Sequence, residues 1–93
     1  MPCIELTVTH SVGLHARPAA EFVKMAARYP CEIQVRNVTT DGSFVNAKSI
    51  LSVLTLGVNQ GHLIEIKTDG ENDSEALENL AELINSNFGE DKK

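Results

Sequence analysis

Residues 2–30 read PCIELTVTHSVGLHARPAAEFVKMAARYP, and the spacing of their apolar residues changes part-way through the stretch. In the first part, Ile4, Leu6 and Val8 alternate with more polar neighbours. Alternation with a period of two is typical of a strand that buries one face. We therefore predict a strand over residues 2–9.

The second part of this stretch has the spacing of a helix with one apolar stripe. The stripe consists of Ala19, Phe22, Val23, Ala26 and Ala27. Pro18 suits a first helical turn, because the N–H that proline lacks would have no partner there. We predict a helix that begins at His15 or Ala16 and ends at Tyr29, before Pro30.

The remaining sequence predicts five further elements, distinguished by their apolar period and their turn residues. In chain order they are a strand over residues 31–38, a strand over 44–47 after a hairpin turn that contains Asp41-Gly42, a helix over 48–56 with Ser49 as its N-cap, a strand over 62–68, and a helix from Asp73 or Ser74 to about Asn87. The run 48–56 is also compatible with a strand, but Ser49 and Gly57 suit the two ends of a helix. The order β-α-β-β-α-β-α predicts an α+β fold, a two-layer sandwich with one antiparallel sheet and three helices on one face.

The length of 93 residues fits one domain, which we place at residues 1–88, followed by a frayed tail over residues 89–93. Aromatic residues make up only 4% of the sequence. We therefore expect a core of valine, isoleucine, leucine and alanine side chains around Phe22, Phe44 and Phe88.

The net charge of −5 disfavours nucleic acid and anionic membranes as partners, because both repel an acidic chain. Lysine and arginine total eight and are scattered, whereas a nucleic-acid-binding protein concentrates them in one patch. The sequence has no apolar run of the ~18 residues that a membrane span needs, and its first residues lack the basic start and apolar stretch that we would expect of a secretory leader. We expect a cytoplasmic protein without membrane insertion.

The cysteines and histidines indicate neither a disulfide framework nor a metal site. Cys3 and Cys31 lie far apart in two predicted strands, where we expect reduced, half-buried side chains. The three histidines, His10, His15 and His62, lack the paired spacing of metal ligands. We expect no metal and no bound cofactor.

His15 is the strongest candidate for chemistry. A lone histidine at a helix start is more often a cap or a surface residue, but its neighbours favour an anion site. The helix N-terminus offers free N–H groups and a positive dipole end, and Arg17 adds a cation with forked donors. Neutral imidazole is also a competent nucleophile near pH 7. These features predict a nucleophile that receives an anion, and phosphate, sulfate, fumarate or another carboxylate would all satisfy them.

The segment GLHARPAAEFVKMA, residues 13–26, resembles the active-site segment of HPr, the histidine-containing phosphocarrier of the bacterial phosphoenolpyruvate-dependent sugar phosphotransferase system. A second segment, NAKSILSVLTLGV followed by QGHLIEI, resembles the second signature of that family in the same order. The similarity extends over nearly the whole chain. It implies an open-faced sandwich of four antiparallel strands beneath three helices, in agreement with the element order.

The resemblance also implies the roles of individual residues. His15 would be phosphorylated on its Nδ1 nitrogen, Arg17 would contact the phosphoryl group, and the amides of Ala16 and Arg17 would lie at the positive helix end. Ser49 matches the regulatory serine that a dedicated HPr kinase phosphorylates in some bacteria. Such a chain is a carrier and not an enzyme: it accepts phosphate from phosphorylated enzyme I and donates it to enzyme IIA of sugar transporters. We expect it to be a monomer.

The family further suggests a face on which these partners dock. It comprises Ala20 and Lys24 on the first helix and Ile50, Leu51 and Leu54 on the second. The simpler interpretation of the three apolar residues is that they belong to the core. We favour partial exposure, because a short helix that is apolar nearly all round has more apolar surface than one sheet face can cover.

Two features depart from the family pattern. Val12 stands where the family commonly has a small polar residue that steadies the histidine loop, and Ser11 is an adjacent polar residue. The loop over residues 36–45 resembles the nitrogen-branch relative NPr, whereas Lys48 and Ser49 resemble the sugar branch. The branch therefore stays open.

Two alternatives to a carrier belong to other functional classes. One is a regulatory binding module of the nitrogen or carbon branch, which acts through Ser49 and protein contact without a sugar relay. Such a module would not need both His15 and Arg17. The other is a module that binds a small ligand or nucleic acid, which the acidic charge and the lack of a glycine-rich nucleotide loop disfavour.

Overall fold

The computed structural model describes residues 2–86, which form four strands and three helices. In chain order the elements are β1 (Cys3–Thr7), α1 (Ala16–Ala26), β2 (Glu32–Asn37), β3 (Val45–Asn46), α2 (Ile50–Leu54), β4 (Leu63–Asp69) and α3 (Asp73–Asn85). The predicted order and the α+β class are confirmed. Asn87, Phe88 and the predicted tail over residues 89–93 lie outside the described residues, so the domain boundary at residue 88 stays a prediction.

The four strands form one antiparallel sheet in the order β1-β4-β2-β3. In the register of this sheet, Leu6 of β1 lies opposite Ile64 of β4, and Val35 of β2 lies opposite Ile66. All four side chains are buried on the same face. α3 packs against β1 and β4, and α1 packs against both α2 and α3, which gives the open-faced sandwich that the sequence predicts.

The core between sheet and helices is a single cluster, almost entirely aliphatic. Phe22 is fully buried at its centre, as predicted. The next largest side chains that are fully buried are Leu14, Ile33, Ile64, Ile66, Leu80 and Ile84. All three helices and the inward positions of the strands contribute side chains to this core. Its close packing therefore fixes the relative positions of α1 and α2 at the surface.

The prediction that Phe44 belongs to this core is wrong. Phe44 is half-buried, and its ring lies beneath two cations: Lys67 Nζ is 4.3 Å and Arg36 Cζ is 5.5 Å from the ring centre. Arg36 Nε also donates to Glu65 Oε1 at 2.8 Å. These three charged residues stand on the outward face of the sheet, so Phe44 packs under their stems on the open side.

The end of α1 also differs from the prediction. The helix ends at Ala26 and not at Tyr29. The N–H groups of Arg28 and Tyr29 donate to the carbonyls of Met25 and Ala26, three positions earlier. This tighter turn replaces the regular α-helical bonds before Pro30 is reached.

The start of α3 differs in its capping residue. The N-cap is Asn72, in the left-handed region at φ 62°, and not Asp73 or Ser74. Asparagine tolerates this conformation better than most residues. The carboxylate of Asp73 instead accepts the N–H of Gly70 at 3.3 Å, so it steadies the turn that precedes the helix.

Both cysteines are free, but only one is buried. The expectation that both are half-buried is wrong: Cys3 is exposed on the outward face of β1, and Cys31 is 2% exposed in the core. Burial raises the pKa of the Cys31 thiol, which the charge of nearby Lys48 opposes.

This difference predicts selective alkylation of the folded protein. A raised pKa leaves less thiolate, the reactive form, at any pH below it. At about pH 8, iodoacetamide should therefore add one label at Cys3, and Cys31 should react only after denaturation. The Cys3→Ser variant should take up no label while folded. Mass spectrometry of the intact and digested protein checks this, and rapid labelling of Cys31 in the native state would contradict it.

Candidate functional site

His15 lies at the N-cap of α1, half-buried at the protein surface. Its backbone is extended (φ −130°, ψ 166°), and its carbonyl accepts the N–H of Ala19 at 3.4 Å. The imidazole makes no capping bond to the helix. Instead, Nε2 lies 3.1 Å from the side-chain oxygen Oδ1 of Asn59. The ring is thus tied to the loop between α2 and β4, and not to the amides of its own helix.

The loop that precedes His15 lies directly against the loop between α2 and β4. The N–H of Leu14 donates to the carbonyl oxygen of Val58 at 2.9 Å. Gly13 has φ 69°, and a Cβ atom added there would lie 2.3 Å from that same oxygen and 2.7 Å from Cα of Asn59. Only glycine allows both this backbone angle and this close approach.

His10 closes the turn that leads into the histidine loop. Its carbonyl accepts the N–H of Gly13 at 2.9 Å, and its ring nitrogen Nδ1 accepts the N–H of Val12 at 3.2 Å. The imidazole is only 7% exposed. The turn is therefore held by a histidine to which the sequence patterns assigned no role. The side chain of Val12 is 47% exposed and offers no polar atom.

Ala16 and Arg17, the residues expected to hold an anion, lie exposed in the first turn of α1. Ala16 has φ 51°, a left-handed conformation that costs alanine on the order of 1 kcal/mol. The buried residues that follow, Pro18 and Ala19, hold the start of the helix in place despite this strain. An exposed turn, one cation and the positive end of an 11-residue helix suit an anion beside His15.

Ser49 is the N-cap of α2, as the sequence predicts. Its Oγ accepts the N–H of Ser52 at 3.3 Å. The apolar residues after it face solvent: Ile50 is 39%, Leu51 74% and Leu54 39% exposed. These residues are not part of the core.

Ala20 and Lys24 are exposed on α1, the helix against which α2 packs. Lys24 Nζ is 3.9 Å from the carboxylate of Glu21, a weak surface ion pair. We use the name docking patch for the five residues that the sequence analysis predicts to contact partners, namely Ala20, Lys24, Ile50, Leu51 and Leu54, and this role stays a prediction. Because α1 packs against α2, the two helices that carry these five residues are neighbours, and His15 is the N-cap of the first of them.

A buried polar network supports the loop that contacts His15. Asn37 is fully buried on the inward face of β2, and its Nδ2 donates to the carbonyl of Leu56 at 3.2 Å. The same nitrogen lies 3.1 Å from Nδ1 of His62, which also accepts the N–H of Asn59 at 3.2 Å. The predicted site contains none of these residues. Of these residues, only Asn37 could have been noticed in the sequence, because it is a polar residue at an inward position of an apolar strand and would need hydrogen-bond partners there.

Within residues 2–86, no cluster of three or more histidine, cysteine, aspartate or glutamate side chains could bind a metal ion. In the same part of the chain, no helix has the length and apolar character needed to cross a membrane.

Comparison with known proteins identifies the family. The profile described as the PTS HPr component phosphorylation site matches residues 3–86. The chain belongs to the HPr family. It is 46% identical to the phosphocarrier protein HPr of Pseudomonas aeruginosa, over 97% of this chain and 98% of that one. The prediction of a phosphoryl carrier of the phosphotransferase system, and not of an enzyme, is confirmed at this level.

Solved structures of HPr proteins share the fold. A crystal structure of HPr from Thermoanaerobacter tengcongensis superposes with a TM-score of 0.92 at 39% identity, covering 99% of this chain and 100% of that one. An HPr dimer from the same organism superposes with a TM-score of 0.75 at 40% identity, covering 97% and 100%. Since one HPr crystallises as a dimer, the monomeric state of this chain stays a prediction.

Proposed function

We propose that His15 accepts a phosphoryl group on Nδ1 from phosphorylated enzyme I and passes it to an enzyme IIA protein in the cytoplasm. The observation that carries this proposal is the position of the His15 imidazole, and the contact of its Nε2 nitrogen, in a chain of the HPr family. His15 stands half-buried at a helix N-cap, and its Nε2 is engaged by Asn59 while Nδ1 makes no capping bond. An engaged Nε2 leaves the other ring nitrogen as the nucleophile.

The transfer itself needs no co-reactant. The Nδ1 lone pair attacks phosphorus, and a nitrogen–phosphorus bond forms as the bond from phosphorus to the donor atom of enzyme I breaks. The guanidinium of Arg17 and the amides of Ala16 and Arg17 are suited to stabilise the phosphoryl oxygens. Transfer to enzyme IIA reverses these steps on a new acceptor.

The docking patch offers both partners a surface next to this chemistry. Exposed apolar side chains of α2 give affinity through burial, and Lys24 adds a charge at the rim. The patch is small, which fits complexes that must dissociate after each transfer.

We also propose that Ser49 is a regulatory site, recognised by an HPr kinase/phosphorylase. Aspartate caps helices about as well as serine. The Ser49→Asp variant should therefore melt within a few degrees of the native chain while placing a negative charge beside the docking patch. The initial rate of phosphorylation by enzyme I should fall about tenfold, because the added charge would repel negative charge on a partner that approaches the docking patch.

The matched control for this prediction is Ser49→Ala. It removes the cap, which should cost about 1 kcal/mol of stability, but it adds no charge. Its phosphorylation rate should stay close to native. A native rate in Ser49→Asp would contradict regulation by charge at this residue.

The proposed function is tested by incubating the native chain with phosphoenolpyruvate, magnesium and enzyme I. We expect the intact mass to rise by one phosphoryl group, located at His15 by peptide mapping and lost in mild acid, as a nitrogen–phosphorus bond would be. The experiment should be run with enzyme I of the sugar branch and of the nitrogen branch. If neither modifies the chain, the relay is wrong and a regulatory module acting through protein contact is favoured.

A further inference from the structure

We propose that Asn59 is a positioning residue that fixes the tautomer and orientation of His15. This inference rests on the proposed function and adds a residue to its site. Asn59 lies 44 positions after His15 in the chain, yet its Oδ1 is 3.1 Å from His15 Nε2. A carbonyl oxygen can only accept, so Nε2 must carry the hydrogen. In the neutral ring, the lone pair then resides on Nδ1.

The backbone of Asn59 is itself held by a histidine. Its N–H donates to Nδ1 of His62 at 3.2 Å, so this ring nitrogen acts as the acceptor of the contact. The side-chain nitrogen Nδ2 of Asn37 lies 3.1 Å from the same atom. His62 thus joins the exposed Asn59 to a residue that is fully buried.

Asn37 anchors this chain of contacts in the core. Its Nδ2 also donates to Leu56 O at 3.2 Å, and its Oδ1 accepts the N–H of Thr40 at 3.3 Å. Every polar atom of this buried amide therefore has a partner, which fixes its orientation. A surface asparagine ordinarily samples several rotamers, but the backbone of Asn59 cannot move without disturbing this network.

The distance between the two loops is set independently of the Asn59 side chain. Leu14 N–H donates to Val58 O at 2.9 Å, and Gly13 packs directly on the backbone of residues 58 and 59. Val12 presents no polar atom that could orient the imidazole from the histidine's own loop. The second loop supplies the contact that fixes the ring.

The experiment compares Asn59→Ala, Asn59→Asp and the native chain, with Gln60→Ala as the matched control. Gln60 is the exposed neighbour, and its Nε2 donates to Thr9 O at 3.2 Å, away from His15. The first readout is the ratio of the two neutral tautomers of His15 in the unphosphorylated protein, from ¹⁵N chemical shifts of the imidazole at about pH 8.5. The second is the single-turnover rate of phosphorylation by enzyme I.

We expect Asn59→Ala to raise the fraction of the Nδ1–H tautomer several-fold and to slow phosphorylation by about three- to tenfold, which corresponds to one ordinary hydrogen bond. Asn59→Asp keeps an acceptor oxygen and should retain the native tautomer. Gln60→Ala should match the native chain in both readouts. Circular dichroism confirms folding, which an exposed substitution should not disturb.

An unchanged tautomer ratio in Asn59→Ala would overturn the inference, and so would a shifted ratio with a native rate. Failure of the proposed function gives a different result. In that case the native chain is phosphorylated by enzyme I of neither the sugar branch nor the nitrogen branch, and Asn59 has no kinetic role. The tautomer ratio still decides whether Asn59 fixes the imidazole of His15.

Discussion

The His15→Ala variant is expected to accept no phosphoryl group under conditions in which enzyme I modifies the native chain completely. Transfer requires a nitrogen lone pair that can bond to phosphorus, and a methyl group has none. The other histidines cannot substitute. Nδ1 of His10 accepts the N–H of Val12, and Nδ1 of His62 accepts the N–H of Asn59, so each is committed to the fold.

The fold should survive this substitution. His15 is half-buried, and its side chain loses one hydrogen bond at the surface, worth about 0.5–1 kcal/mol. We expect the Tm to fall by less than about 5 °C. Intact mass after reaction and a thermal melt of the same sample measure the two effects together.

His62→Ala is the matched control for the loss of a histidine. It leaves the buried amide of Asn37 without one of its partners, so it should destabilise the protein more than His15→Ala does. It should nevertheless remain able to accept a phosphoryl group. A phosphorylated His15→Ala variant would show that the acceptor is another residue.

The fold could be predicted because its local signals agree with one another. The alternation of Ile4, Leu6 and Val8 marks the inward face of β1, and Pro18 marks the first turn of α1. Ser49 caps α2 with its side chain, as its position before an apolar run suggests. Each of these signals depends only on neighbouring residues, which is why the sequence is sufficient.

The position of Phe44 could not be predicted from neighbouring residues. Its position between a turn and a two-residue strand does not determine which face of the sheet it joins. The register of β2 against β4 places Arg36 and Lys67 on the outward face, and their cations cover the ring. An apolar residue can therefore be partly buried without contributing to the core.

Some residues of the candidate site could likewise be predicted from local sequence, and others could not. His15 and Arg17 could be proposed from residues within one turn of each other, because a helix N-terminus is a local feature. Asn59 could not be proposed, since it comes near His15 only through the packing of two loops. The role of His10 could not be predicted either, because it depends on a turn geometry that the sequence does not specify.

That packing of loops makes Gly13 sensitive to substitution. Gly13→Ala should lower the free energy of unfolding by about 3 kcal/mol. The new Cβ would lie 2.3 Å from Val58 O and 2.7 Å from Asn59 Cα, both backbone atoms of a loop that the buried Asn37 network holds. Neither atom can yield as a flexible side chain would. The variant should melt about 15 °C below the native chain, as measured by circular dichroism.

Gly57→Ala separates this clash from the cost of the backbone angle. Gly57 has φ 63°, close to the 69° of Gly13, but no heavy atom lies within 4 Å of a Cβ built there. Alanine at that position should cost only about 1 kcal/mol, the price of the left-handed conformation. Equal losses in the two variants would contradict a steric origin. A larger loss in Gly13→Ala, together with a shift of the His15 tautomer ratio, would show that the contact between the loops serves both stability and the orientation of the imidazole.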